Sequence, residues 1–115
     1  MLSFSHRFHG HGSLRYVYKN GTAVRSHAIT IKCIKNPHRK HSRFAVVVSK
    51  KVHKSAVGRN RIRRRLYEVI RQEISNISTP HDVAVMVFSS EVMTMPYDEL
   101  TATVKQLFET GGLYK

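Results

Sequence analysis

Apolar and polar positions along this chain follow two rhythms, and the rhythms predict its elements. From Ala28 to Ile34 the period is two. Ile29, Ile31 and Cys33 share one face while Thr30 and Lys32 take the other, as in a strand with one side on a core. Phe44 to Ser49 is a β-branched run short enough to be a buried strand. From Ser55, read as an N-cap, to about Ser75 the period becomes helical. Ile62, Leu66, Val69, Ile70 and Ile74 form one stripe, and Arg61, Arg64, Glu68 and Arg71 fall opposite. Asp82 to Phe88 reads as another buried strand. Pro96 stands in the first turn of a last helix, followed by Asp98 and Glu99, which suit its positive end. Leu100, Val104, Leu107 and Phe108 are its stripe, and Gly111-Gly112 its stop. Near the amino end, Ser13 is read as the cap of a short helix, Leu14 to Lys19, closed by Asn20-Gly21. Two polar stretches with prolines, residues 36–42 and 76–81, read as surface loops. The order is helix, strands, helix, strand, helix, which predicts an α/β sandwich on a small sheet.

Composition narrows the class. At 115 residues and 41% apolar, the chain fits one domain with a real core and is no disordered basic tail. The expected division is a flexible, His- and Gly-rich segment 1–12 and a single domain 13–115. One cysteine excludes an intrachain disulfide and fits a reducing compartment. No apolar run approaches the ~18 residues of a membrane span, and the start lacks a signal-peptide core. The expectation is a cytoplasmic protein with no membrane association.

Charge changes the picture most. Residues 1–65 hold 17 Lys and Arg and no acid, while residues 66–115 hold 3 basic and 7 acidic residues. The density peaks at Lys50-Lys51 and in Arg59-Asn60-Arg61-Ile62-Arg63-Arg64-Arg65. An ordinary solvated helix interleaves acids with its bases; this one does not. Such a cluster repels itself until a polyanion neutralises it, and nucleic acid gains further from released counterions. Arginine also fits phosphate through its bidentate fork.

Other candidate chemistry is thinner. Tyr16 and Tyr18 flank Val17 near the basic region, with Phe8 upstream; they read either as a stacking platform for unpaired bases or as packing for the first helix. The histidine groups His6, His9, His11 and His38, His41 lack cysteine or carboxylate partners and a finger spacing, so no metal site is expected. No catalytic constellation, nucleophile motif or Gly-rich phosphate loop is present. Cys33 lies in the apolar phase of its strand and reads as core.

Val48-Ser-Lys-Lys-Val52 followed by Ala56-Val-Gly-Arg-Asn-Arg-Ile-Arg-Arg-Arg-Leu66 resembles the signature of the bacterial ribonuclease P protein component. Tyr16-Val-Tyr-Lys-Asn-Gly-Thr22 is similar to that family's first helix and glycine exit, and Tyr97 to Lys115 to its last helix and tail. The resemblance covers nearly everything from about Leu14. It implies a ribosomal-protein-S5-like (domain 2-like) α/β, or α+β, two-layer sandwich of order α-β-β-β-α-β-α, with a left-handed βαβ crossover against the usual rule. It implies a non-catalytic subunit of a ribonucleoprotein endonuclease that removes the 5′ leader of precursor tRNA. The RNA subunit does the chemistry with Mg²⁺, and the protein holds no cofactor of its own. The implied partners are ribonuclease P RNA and the precursor tRNA leader, with the protein a monomer in a 1:1 complex with the RNA. Residue by residue, Lys50, Lys51, Arg59, Asn60, Arg61, Arg63, Arg64 and Arg65 take the places that face the RNA subunit. Leu14, Tyr18, Lys32 and Arg63 take places along the leader. Leu14 replaces a Phe common in the family, Lys32 an aromatic of some members, and Tyr67 a frequent basic residue. Competing readings are a ribosomal or other structural RNA-binding protein with no role in cleavage, and a basic DNA-binding module.

Overall fold

The computed structural model of the chain describes residues 11–36, 40–78 and 80–114, with side chains in the first helix from Leu14 onward. Its elements are α1 (His11–Asn20), β1 (Thr22–Arg25), β2 (Ile29–Lys35), β3 (Arg43–Val48), α2 (Ala56–Glu73), β4 (His81–Val87) and α3 (Tyr97–Thr110), with short 3₁₀ turns at Ile74–Asn76 and Ser90–Met93. The order is α-β-β-β-α-β-α, as the resemblance implies. The four strands form one mixed sheet in the order β1-β2-β4-β3. β1 and β4 both pair antiparallel with β2, and β3 runs parallel to β4. Two parallel neighbours need a crossover of a dozen residues or more, and α2 supplies it.

The period-two pattern decides what each sheet face meets. Ile29, Ile31 and Cys33 of β2, Phe44, Val46 and Val48 of β3, and Val83, Val85 and Val87 of β4 point to one side. There they meet Ile62, Leu66, Val69 and Ile70 of α2 and Leu100, Val104, Leu107 and Phe108 of α3 in one core. The Phe44 and Phe108 rings lie 5.9 Å apart within it. The other face carries Thr30, Lys32, Ala45, Ala84 and Met86, by the same alternation. α1 lies against β2 and β4 with Val17 fully buried outside the main core.

Local boundaries differ from the sequence expectation in four places. α1 begins at His11, so Ser13 lies inside the helix and is not its cap; the flexible segment expected over residues 1–12 otherwise falls outside the described residues. Pro96 precedes α3 as its N-cap, with an extended ψ of 140°. Ile74 leaves α2 for the 3₁₀ turn. β4 stops at Val87, so Phe88 is not part of a buried strand. Two expected signals act as read: the Ser55 hydroxyl accepts the Gly58 amide at 3.2 Å, and Gly112, at φ 75°, ends α3 in the left-handed region that glycine tolerates.

Two buried polar groups tie separate elements together. Arg43 donates to Asp82 from Nε at 2.9 Å and from Nη2 at 2.7 Å, joining register partners of β3 and β4. Their side chains are only 9% and 5% exposed, and Asn36 donates to the same carboxylate. Buried Glu73 accepts the Tyr114 hydroxyl at 2.9 Å. Burial first, and that carboxylate second, push the Tyr114 phenol well up. Cys33 is buried, and burial raises its thiol, as suits a core residue.

Candidate nucleic-acid interface

The first ten residues of α2 carry five of its six arginines and no acid. Positive side chains near a helix N-terminus oppose the macrodipole, and Arg61 and Arg64, one turn apart, repel each other. This arrangement detracts from the stability of the free helix. Arg61, Arg64 and Asn60 are exposed, and no carboxylate pairs with either arginine among the described residues. Of the helix's two acids, Glu73 is buried and Glu68 pairs with Arg71 at 2.6 Å instead. Hydrogen bonds from Arg71 lower the Glu68 carboxyl and raise the guanidinium.

The remaining basic residues divide by what they touch. Lys50 and Lys51 are exposed in the turn that leaves β3; this turn closes through the Val52 amide on the Ser49 carbonyl at 3.1 Å. Arg59 donates to the carbonyls of His53 and Lys54 at 3.0 and 2.9 Å, tying that turn to the helix. Gly58 makes the junction fit, because a β-carbon there would collide with the His53 imidazole. Arg63 donates to Asn60 Oδ1 at 2.6 Å; this bond is to its own helix and not to a groove residue. Arg65 donates to the Val92 carbonyl at 2.6 Å and to that of Met95, so its guanidinium fastens the 3₁₀ turn Ser90–Met93 to α2. Tyr67 faces inward. Its hydroxyl accepts the Val46 amide at 3.2 Å, capping a backbone donor of the sheet-edge strand β3. The residue that departs from the family's basic position is thus part of the core.

The sheet face opposite α2 and α3 forms the second feature. Lys32 crosses to α1 and donates from Nζ to the Tyr18 carbonyl at 2.6 Å, a cation at the negative end of that helix. Leu14 and Tyr18 are half-buried on α1, and burial raises the Tyr18 phenol. An open groove of about 430 Å³ runs along the sheet here, lined by Arg25, Thr30, Lys32, Met86 and Phe88. The structure therefore joins Lys32 to Tyr18. Arg25, Met86 and Phe88 escape the sequence reading; Met86 and Phe88 share the phase of β4 that faces away from the core, a phase hidden in an all-apolar run.

Among the described residues no group of three or more His, Cys, Asp or Glu is placed to hold a metal ion. His6, His9 and His38 lie outside the described residues, as does the His11 side chain. No described helix is long and apolar enough to cross a membrane.

The chain is similar to known proteins over most of its length. The sequence profile of the family described as Ribonuclease P matches residues 2–111. The ribonuclease P protein component of a Pseudanabaena species is 32% identical over 108 residues, covering 93% of this chain and 91% of the relative. That of a Synechocystis species is 30% identical over 97 residues, covering 84% and 77%. The ribonuclease P protein of Staphylococcus aureus superposes with a TM-score of 0.83 at 22% identity, covering 96% of this chain and 98% of that one. The Thermotoga maritima protein gives 0.73 at 22% identity, covering 82% and 86%. These structural likenesses carry the fold.

Proposed function

This chain belongs to the ribonuclease P protein family, and from that premise we propose that it binds the catalytic RNA and the 5′ leader of precursor tRNA during 5′ maturation. The observation that carries this reading is the pair of opposed surfaces: a basic helix face where Arg61 and Arg64 have no carboxylate partner among the described residues, and a cation-flanked groove on the far side of the sheet. Arg61 and Arg64, with Lys50 and Lys51, present free donors to the phosphates of the RNA subunit. Arg59 and Arg65 keep their charge while their hydrogen bonds hold the scaffold of that face. Bidentate contacts of this kind fix orientation as well as affinity.

The groove takes the leader. Unpaired bases expose π-faces that aromatic side chains stack, and flanking cations follow the backbone. Lys32 lines it and reaches the Tyr18 carbonyl, so Leu14 and Tyr18 of α1 extend the track from that end, while Arg63, expected along the leader, stands on α2 across the sheet and bonds Asn60 instead. Contacts made only to the leader stabilise substrate and not product, by ~1–3 kcal/mol for each stacked base. Selectivity then arises without any chemistry by the protein. Mg²⁺, held by the RNA subunit, supplies activation of the attacking water and the leaving oxygen. The protein acts as a monomer, one per RNA, in the cytoplasm.

The test is the affinity of the reconstituted holoenzyme for precursor and mature tRNA as the leader is shortened. Affinity is expected to fall with the leader until the two match. Equal affinity at every leader length would remove the groove from the reading.

A further inference from the structure

β4 is buried through most of its length, and the residue that follows it carries a ring in solvent. Phe88 is 64% exposed, yet its amide still continues the ladder by donating to the Ala28 carbonyl at 2.8 Å. The backbone is fixed and the ring is open. A single exposed apolar residue needs no explanation, but Phe88 does not stand alone. It follows Met86 in the same phase, and the two line one wall of the groove with Thr30. Arg25, the register partner of Thr30, and Lys32 are the cations of that groove, and no acid lines it. The combination of an apolar floor, an aromatic rim and flanking positive charge matches a single-stranded polyanion with unpaired bases.

We propose that Phe88 is a stacking platform for an unpaired leader base, at the end of the groove away from α1. This rests on the leader reading given above and extends it. The hydrogen bond places Phe88 opposite Ala28, the residue just before β2 and four residues from Lys32, or ~13 Å at the rise of a strand. The leader track is therefore longer than Leu14, Tyr18 and Lys32 define. Arg25 lies beside the path, where its guanidinium reaches a backbone phosphate.

The experiment uses the full chain reconstituted with a bacterial ribonuclease P RNA. Affinity is measured for mature tRNA and for precursors with short and long leaders, with Phe88→Ala, Phe88→Leu and Phe88→Trp beside the unsubstituted chain. Phe88→Ala is expected to weaken binding of the long-leader precursor about 5- to 150-fold, leaving mature tRNA and the melting temperature unchanged. Phe88→Leu, apolar but without a π-face, is expected to lose nearly as much, and Phe88→Trp to restore binding. If the unsubstituted chain discriminates by leader and Phe88→Ala does so equally well, the platform is wrong and the leader reading stands. If the unsubstituted chain shows no dependence on the leader, both fail. Loss of affinity for the RNA subunit alone would place the ring against that RNA and overturn the assignment to the leader.

Discussion

Replacing Arg61 and Arg64 together with Ala separates binding from folding. Both side chains are exposed and lack a carboxylate partner among the described residues. They stand within three residues of each other in the half of α2 that has no acid in its first turn. Removing them relieves one like-charge pair, ~0.2–0.5 kcal/mol; both lie beyond the first turn of α2, where the helix dipole has faded. Stability of the free protein is therefore expected to stay level or rise by up to about 0.5 kcal/mol at low salt. Binding moves the opposite way. Each lost phosphate contact removes about one unit from the slope of log K against log salt, so the pair removes about two. The assay is titration of the RNA subunit across a salt series, with thermal unfolding in parallel. An unchanged salt slope would show that these arginines do not meet phosphate. A marked loss of stability would show that the helix face is structural.

Arg65→Ala is expected to differ, because its guanidinium holds the carbonyls of Val92 and Met95. Leaving those acceptors unpaired costs ~1–3 kcal/mol, read as a lower melting temperature. Tyr18→Ala is expected to weaken precursor tRNA by ~1–3 kcal/mol if a base stacks on the ring and to leave mature tRNA alone; equal losses with a lower melting temperature would make Tyr18 a packing residue. Asp82→Ala leaves the buried Arg43 guanidinium without its carboxylate and is expected to cost ~3–5 kcal/mol, measured by denaturant unfolding; a change under ~1 kcal/mol would refute the buried-pair reading.

The long elements were legible because their periods are unambiguous. The stripe from Ile62 to Ile70 and the alternation of Ile29, Ile31 and Cys33 each allow one reading, and the Ser55 cap fixes the start of α2. β1 left no such trace: Thr22-Ala-Val-Arg25 is an edge strand with a mostly exposed burial pattern, so nothing along it alternates strongly. Asp82 to Phe88 is apolar on both phases, which conceals that Met86 and Phe88 face the groove. The basic face was visible as composition, but the division of labour within it was not. Whether an arginine meets solvent or a carbonyl depends on the turn packed beside it, and the partners of Arg65 lie 27 and 30 residues away. The Arg43–Asp82 pair spans 39 residues and arises only when β3 and β4 align in parallel.

The most direct test adds the purified chain to a bacterial ribonuclease P RNA at Mg²⁺ too low for the RNA to act alone, and follows cleavage of precursor tRNA. The expected result is cleavage at the mature 5′ end only when both components are present. Cleavage by the RNA-free protein after a purity control, or no gain over the RNA alone while the chain remains folded, would contradict it.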